Sequence, residues 1–469
     1  MYFNSYIYLV FFLPLVVLGY FKLNKLRMSI AARGLLVAAS LFFYSYWEPA
    51  YAALILFSVL FNFSLGTVMS ANLKGEKTAR NKAVLIFGII ANLALLGYYK
   101  YADFFIENVN MALGTTYPAL ELILPLAISF FTFQQIAYLV DSSKGLTKEY
   151  DFLSYCLFVT FFPQLIAGPI VHHGEMMPQF SRKRARVLHW DNIFRGIVII
   201  CIGLFKKVII ADTLAVNVAE GFEATGGVLT FAEAWCSTLS FTFQIYFDFS
   251  GYTDMAIGSA LMFNINLPLN FNSPYKALDI QDFWRRWHMT LSRWLRDYVY
   301  IPLGGSKNGK IRIYRNLFLT FLIGGIWHGA GWAFVMWGVL HGLATCLQRF
   351  WKSNSIRIPK PIAWAMTFVF VAVAWVFFRA KNMDSAWMVL KGLCSFDNLG
   401  FDRDYAYHVG RGDWANLGIL LLIILFTKNS VEIARKCKPN LLLLIAAVAM
   451  FVISVLNFTG FSEFLYFNF

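Results

Sequence analysis

Long apolar runs recur from one end of this 469-residue chain to the other, and they constrain its fold more than any other feature. Many approach the roughly 20 residues that a helix needs to cross the hydrocarbon core of a bilayer. Backbone N–H and C=O groups find no water there, so only helices and closed barrels span it. Since the runs lack the strict alternation of barrel strands, the sequence predicts an all-α polytopic membrane protein.

The runs predict about 11 to 13 transmembrane or half-spanning helices. They lie near residues 6–20, 34–68 (long enough for two helices), 83–99, 118–140, 152–171, 194–211, 228–247, 252–268, 316–346, 361–378, 414–426 and 439–458. The longest polar stretches, 269–315 and 379–413, are too short to fold independently. The sequence therefore predicts a single transmembrane domain over residues 1–469.

The net charge of +14 comes from 40 basic and 26 acidic residues. The basic residues cluster between apolar runs, as in KLNKLR (22–27), SRKRAR (181–186) and SKNGKIRIYR (306–315). This placement is typical of cytoplasmic loops that face anionic lipid headgroups, and it argues against a nucleic-acid partner. The basic loops at 22–33 and 71–82 would share the cytoplasmic side, with the N-terminus outside.

Charge is concentrated in FWRRWHMTLSRWLRDYVYIPLGG (283–305). Placed on one helix over 284–298, its tryptophans, its leucines and Tyr298 share one face. Four arginines share the opposite face: Arg285, Arg286, Arg293 and Arg296. The sequence predicts an amphipathic helix at the interface or beside a wet cavity, whose arginines hold lipid phosphate or another anion. His288 falls between the two faces, where it can contact an acyl group or a headgroup.

A second histidine, His328, lies within the apolar run of GGIWHGAGWAFVMWGVLHG (324–342). An ionisable side chain at that depth faces a protein interior or an aqueous cavity. The run from 316 to 350 would measure about 50 Å as one helix, too long for one crossing, so a break near its glycines is expected. On an uninterrupted helix, His341 would not share the face of His328.

Polar residues also interrupt the apolar segment DFSGYTD (248–254). Two interpretations are open for Asp248, Ser250 and Asp254. They either line a tunnel or form a polar turn that breaks the helix, with the helix ends capped by hydrogen bonds. The histidines and cysteines lack the spacing of zinc ligands, so no metal is expected. The cysteines show no paired framework and are expected to be free thiols.

Together these motifs resemble the membrane-bound O-acyltransferase (MBOAT) family. The resemblance rests on NFNSPYKALDIQDFWRRWHMTLSRWLRDYVYIPLGG (270–305), the 324–342 motif, FFPQLIAGPIVHH (161–173), YFDFSGYTDMAIG (246–258) and the opening MYFNSYIYLVFFLPLVVLGYF. Within the family, the chain is most similar to the bacterial membrane subunit of alginate-type O-acetylation.

The resemblance implies helices around a central tunnel that joins the two membrane faces. It implies catalytic roles for the histidine of the WHG motif, His328, and for that of the RWH motif, His288, with Trp327 beside the tunnel. It also implies a bacterial plasma-membrane enzyme that takes acetyl groups from cytoplasmic acetyl-CoA, with no bound cofactor. A periplasmic partner of the SGNH-hydrolase type would pass them to an extracytoplasmic polysaccharide such as alginate or peptidoglycan.

Acyl transfer to a hydroxyl needs a base and a group that stabilises the oxyanion. Histidine suits either task, so we expect His328 to act as the base and His288 to orient the acyl carbonyl, or the reverse. The four arginines would then hold the phosphates of CoA. Two alternatives remain: D-alanyl or other acyl transfer to a cell-wall polymer by the same fold, and a non-enzymatic glycan transporter or export scaffold.

Overall fold

The computed structural model describes residues 1–71, 79–147, 151–223, 229–307, 309–397, 399, 409–436, 440–458 and 464–465. Within these ranges the regular structure is helical, and no strand occurs. The predicted all-α fold is confirmed. The predicted basic loop at 71–82 lies mainly outside the described residues, as does Asn308 of the basic stretch at 306–315.

Among the described residues, the first half of the chain forms ten α-helices: α1 (Leu13–Lys25), α2 (Ser29–Ser45), α3 (Ala50–Ala71), α4 (Ala79–Leu113), α5 (Ile128–Ser143), α6 (Phe152–Thr160), α7 (Phe162–Leu165), α8 (His173–Ser181), α9 (Trp190–Phe205) and α10 (Asp212–Phe222). The second half forms ten more: α11 (Phe231–Met262), α12 (Ile280–Trp284), α13 (Met289–Leu295), α14 (Lys310–His328), α15 (Trp332–Ser353), α16 (Lys360–Arg379), α17 (Met383–Leu393), α18 (Arg411–Phe426), α19 (Ser430–Lys436) and α20 (Leu441–Leu456). Short π-helical turns at Ile7–Phe12, Lys206–Ala211 and Arg296–Tyr300 adjoin α1, α9 and α13.

Four described helices are long and apolar enough to cross a bilayer: Ile7–Lys25, Ala50–Ser70, Ala79–Leu113 and Lys360–Arg379. Helices α2 and α20 are shorter apolar helices. The 34–68 run divides into two helices, as its length predicted, with the break between α2 and α3. The two runs predicted at 228–247 and 252–268 do not separate, because one continuous helix, α11, extends through DFSGYTD. The prediction of a helix-breaking turn at 248–254 was therefore wrong.

The chain divides into two compact units, and α11 contributes residues to each. Unit 1 comprises Met1–Leu204, Tyr252–Pro268 and Ala434–Phe451. Its interior holds a cluster of aromatic rings that includes Phe3, Tyr8, Phe43 and Phe162, in which the Tyr8 hydroxyl lies 2.6 Å from Ser259 Oγ. Aromatic packing thus stabilises the unit beyond the apolar area it buries.

Unit 2 comprises Phe205–Gly251, Leu269–Ile433 and Val452–Phe469, and it contains both histidines of the sequence motifs. Its central feature is a hairpin of α14 and α15, which pack closely because two glycines face each other. A Cβ atom at Gly325 would lie 2.5 Å from the Phe334 carbonyl oxygen, and one at Gly338 would lie 2.8 Å from the Phe321 carbonyl oxygen. Small residues therefore set the distance between the two helices.

Gly325→Ala is expected to destabilise the protein by about 1–3 kcal/mol, because the added methyl group meets rigid backbone of α15. The measurement is the thermal unfolding midpoint of the purified protein in detergent. Gly418→Ala in α18 is the matched control, since a Cβ there would meet no atom within 4 Å. An unchanged midpoint for Gly325→Ala would contradict this prediction, because it would show that α14 and α15 can move apart without loss of stability.

Candidate active site in unit 2

The arginine-rich stretch does not form the single helix that its pattern predicts. The structure has α12 (Ile280–Trp284), a turn at 285–288, α13 (Met289–Leu295) and then a π-helical turn at Arg296–Tyr300. Five of the six side chains predicted on the apolar face are nonetheless buried, and the sixth, Tyr298, is half-buried. The five are Trp284, Trp287, Leu291, Trp294 and Leu295. The hydrophobic pattern thus identified the packed residues, but the continuous helix was wrong.

His288 breaks the helix, because its backbone adopts the left-handed conformation with φ 39° and ψ 55°. Non-glycine residues occupy this region at a cost, usually at functional sites or where other contacts enforce it. Here the segment at 270–272 supplies those contacts. The Asn270 carbonyl accepts a 2.9 Å hydrogen bond from the Met289 N–H, and the Arg286 carbonyl accepts one of 2.9 Å from the Asn272 N–H.

The turn and its two flanking helices line a cavity of about 540 Å³ against the α14–α15 hairpin. Its lining combines cationic, aromatic and small polar side chains. The lining residues are Gln281, Trp284, Arg285, Met289, Leu291, Ser292, Arg293, Leu295, Arg296, Tyr300, Leu317, Thr320, Phe321, Gly324, His328, Trp337 and Thr345. Since no Asp or Glu occurs in this lining, the cavity favours an anionic ligand.

Three of the four predicted donor-binding arginines, Arg285, Arg293 and Arg296, line this cavity. Arg296 also bonds Asp297 through Nε and Nη2, at 2.7 and 3.1 Å. Arg286 is different, because its Nε donates to Asp282 at 2.9 Å and it does not line the cavity. Three of the four arginines therefore line the cavity, and Arg286 does not.

His328 lies in the wall of the same cavity, and only 4% of its surface is exposed. It is the last residue of α14, and the chain then passes through extended backbone at Gly329 and Gly331 before α15 begins. The predicted break near the glycines is confirmed. The imidazole contacts the rings of Trp337 and Phe378, with centroids 5.0 and 5.1 Å away. This packing fixes the ring orientation beside the cavity.

His288 does not join His328 in the cavity lining. It is fully buried, and its ring lies edge-on to Phe249 with centroids 4.9 Å apart. Burial lowers the pKa of His288 to about 3, because the charged imidazolium would lose its hydration. The side chain therefore stays neutral at physiological pH.

The predicted tunnel residues lie outside this cavity lining as well. In unit 2, Asp248 is buried and bonds Lys207 Nζ at 2.6 Å, and its other oxygen accepts the Leu465 N–H at 3.1 Å. Ser250, two residues further along α11, is also buried. Trp327 packs against His328 with ring centroids 4.9 Å apart. In unit 1, Asp254 is buried within α11. A tunnel role for these residues stays a prediction.

Two residues around this site had no assigned role in the sequence analysis. Trp337 lines the cavity, and His341 packs behind it with ring centroids 4.6 Å apart. The expectation for His341 applied to an uninterrupted helix, and this condition is not met, because the chain reverses at 329–331. The two histidines lie on different helices, and both contact Trp337. The glycine break in the sequence was the signal that an uninterrupted helix could not be assumed there.

The five cysteines that the structure describes are free thiols, as predicted: Cys156, Cys201, Cys236, Cys346 and Cys394. In the described part of the chain, no group of three or more His, Cys, Asp or Glu side chains has the geometry to hold a metal ion.

The chain matches the model of the membrane-bound O-acyltransferase family over residues 142–387, a range that contains the whole cavity lining. It is 48% identical to the peptidoglycan O-acetyltransferase of Helicobacter pylori, over 85% of this chain and 80% of the relative. It is 39% identical to the probable alginate O-acetylase of Pseudomonas aeruginosa, over 84% and 75%. It is 31% identical to the teichoic acid D-alanyltransferase of Bacillus subtilis, over 56% and 71%.

The matched range, the relatives and the all-α membrane architecture agree with one another. The resemblance that the sequence motifs suggested is confirmed, and the chain belongs to the membrane-bound O-acyltransferase family.

Proposed function

We propose that this protein is a membrane O-acetyltransferase that moves acetyl groups from cytoplasmic acetyl-CoA to an extracytoplasmic polysaccharide. The observation that carries the proposal is the cavity in unit 2, where His328 shares one lining with Arg285, Arg293 and Arg296. A cationic rim next to a buried histidine suits a ligand with an anionic end and an acyl end. Family membership makes the chain an acyltransferase, which removes the transporter alternative.

Acetyl-CoA has the chemistry that this cavity favours, and it would be a substrate rather than a resident cofactor. Its phosphates carry negative charge, and guanidinium groups bind phosphate oxygens with paired hydrogen bonds. The apolar part of the lining, which includes Trp284, Phe321 and Trp337, would accept the uncharged acyl end. The volume of about 540 Å³ is within the range of small-molecule sites.

His328 would act as general base in the transfer. Its imidazole takes the proton of the acceptor hydroxyl, whose oxygen attacks the thioester carbonyl to form the new ester bond. The C–S bond then breaks, and the thiolate of CoA takes the proton back from the imidazolium. Because His328 ends α14, the negative end of the helix dipole stabilises the imidazolium during this step.

His288 is better suited to positioning than to proton transfer. Its low pKa and full burial keep it uncharged, and it lies outside the cavity lining. His288 ends the turn that begins with Arg285. The left-handed backbone of His288 therefore sets where α12 ends and where α13 begins. We propose that His288 holds the turn in place and that His328 carries the proton.

Peptidoglycan is the first acceptor to test, since the relative that is 48% identical to this chain over the aligned residues is a peptidoglycan O-acetyltransferase. Alginate is the second, from the 39% identical relative. A periplasmic SGNH-type protein is proposed as the direct partner, because the acyl group must pass from a buried cavity to a polymer that is too large to enter it. D-alanyl transfer, the activity named for a third relative, is the alternative donor chemistry.

The experiment that tests this function is incubation of the purified protein with labelled acetyl-CoA, peptidoglycan fragments and a candidate SGNH-type partner. We expect release of the CoA thiol together with acetylated glycan, in equal amounts. A parallel reaction supplies D-alanine on a carrier protein. Turnover with the D-alanyl donor and none with acetyl-CoA would replace the proposed donor with the alternative.

We propose that the protein lies in the inner membrane of a bacterial cell and that its donor site opens to the cytoplasm. Lysines and arginines favour the cytoplasmic side, and several of them follow the cavity at 307–315. Ser306 is exposed at the start of this stretch. In a background without native cysteines, Ser306→Cys is expected to react with a membrane-impermeant thiol reagent in inverted vesicles only. Labelling in intact cells with a permeabilised outer membrane would reverse the orientation.

A further inference from the structure

His341 has no part in the steps above, yet it is one of the most enclosed side chains of unit 2. It is fully buried in α15 and is ringed by aromatic groups. Its ring centroid lies 5.1 Å from Trp284, 4.6 Å from Trp337 and 5.3 Å from Phe370. Two of these three neighbours, Trp284 and Trp337, line the cavity.

One directional contact distinguishes His341 from a histidine that merely fills space. The indole Nε1–H of Trp284 donates a hydrogen bond to His341 Nδ1, with a length of 3.2 Å. An imidazole nitrogen accepts only when it carries no proton, so the neutral ring must hold its proton on Nε2. The contact therefore specifies both the charge and the tautomer of His341.

The hydrogen bond reaches the cavity through Trp284. This residue ends α12 and immediately precedes Arg285, so the orientation of its indole is linked to the position of that guanidinium. On the other side, Trp337 contacts His341 and His328 at the same time. His341 thus connects the wall that carries the proposed base to the turn that carries a proposed donor-binding arginine.

We infer that His341 is a positioning residue for the donor: its unprotonated Nδ1 holds the Trp284 indole and thereby fixes the cavity wall and Arg285. This inference rests on the proposed function for its kinetic consequence, but the hydrogen bond itself does not depend on which donor binds. Loss of the acceptor leaves a buried indole N–H without its partner, and the indole must reorient to recover one.

His341→Leu removes the acceptor, whereas His341→Asn retains one, because the Asn side-chain oxygen lies about where Nδ1 was. We expect His341→Leu to raise KM for acetyl-CoA roughly tenfold and to change kcat less than about threefold. We expect His341→Asn to restore KM to near the wild-type value. A histidine needed only for its bulk would give the opposite order, since leucine fills the space better than asparagine.

A double-mutant cycle isolates the hydrogen bond from other effects. Trp284→Phe removes the donor, and the double variant Trp284→Phe/His341→Leu removes both partners. If the bond is what His341 contributes, adding His341→Leu to Trp284→Phe should raise KM no further. Additive increases in KM would overturn the inference.

A ligand-free measurement separates this inference from the proposed function. In protein labelled with 15N at the tryptophan indoles, the Trp284 resonance is assigned by its absence in Trp284→Phe. We expect its N–H proton to shift upfield in His341→Leu and to stay near its wild-type position in His341→Asn. An unmoved resonance in His341→Leu would overturn the inference even if acetyl transfer is confirmed. A shifted resonance in a protein inactive with acetyl-CoA would support the hydrogen bond and reject the donor instead.

Discussion

Replacement of His328 by alanine is expected to lower the rate of acyl transfer by about 10³-fold or more, since a general base typically contributes 10²–10⁴-fold. The imidazole lies in the cavity wall, and it is buried among the rings of Trp327, Trp337 and Phe378. Alanine removes the proton acceptor and leaves the apolar surroundings in place. The measurement is the initial rate of CoA thiol release with saturating acceptor.

His328→Gln extends the test, because glutamine keeps a polar side chain of similar size but cannot accept the proton at neutral pH. Both variants should insert in the membrane and elute as single species in detergent. His189→Ala is the matched control, since His189 belongs to unit 1 and lies outside the cavity lining. Acyl transfer by His328→Gln within tenfold of the wild-type rate would remove His328 from the role of base.

Loss of two cavity arginines should weaken donor binding strongly. We expect Arg285→Gln/Arg293→Gln to raise KM for acetyl-CoA by about 100-fold or more, since each charge-assisted hydrogen bond contributes about 1.5–3 kcal/mol. Both guanidinium groups line the cavity. Because the phosphates of CoA are remote from the thioester, kcat should fall much less than kcat/KM. Initial rates over a range of acetyl-CoA concentrations test this.

Arg286→Gln/Arg312→Gln removes the same charge from the same region without touching the cavity lining. Arg286 forms an ion pair with Asp282, and the side chain of Arg312 is exposed. This control should keep KM within about threefold of wild type. Equal defects in both double variants would mean that KM depends on net charge and that the cavity arginines do not bind the donor directly.

Much of the fold follows from the sequence, because bilayer physics leaves few choices. Apolar length predicted most helices, and the excess length of the run around His328 predicted the break that the structure places at 329–331. Charge and depth also drew attention to the arginines and to His328, and the family resemblance gave these residues their predicted roles in the site. The structure adds that three of the arginines share one cavity with that histidine.

The errors come from long-range contacts, which periodicity does not contain. The helix over 284–298 fails because residues 270–272 bond the backbone around His288 and hold it in a left-handed conformation. The polar DFSGYTD segment stays helical because Asp248 finds a buried partner in Lys207, which lies far earlier in the chain. A local pattern predicts which residues are buried, but not which distant group compensates a buried charge.

The proposed function requires that one chain carry acetyl groups from CoA on one side of a membrane to an acceptor on the other. It is tested most directly in proteoliposomes of uniform orientation, with labelled acetyl-CoA added to the cytoplasmic face and the SGNH-type partner and peptidoglycan fragments enclosed inside. We predict that label accumulates on the enclosed glycan while an equal amount of CoA thiol appears outside, and that His328→Ala vesicles show neither. Acetylation only when donor and acceptor share a compartment would contradict transfer across the membrane.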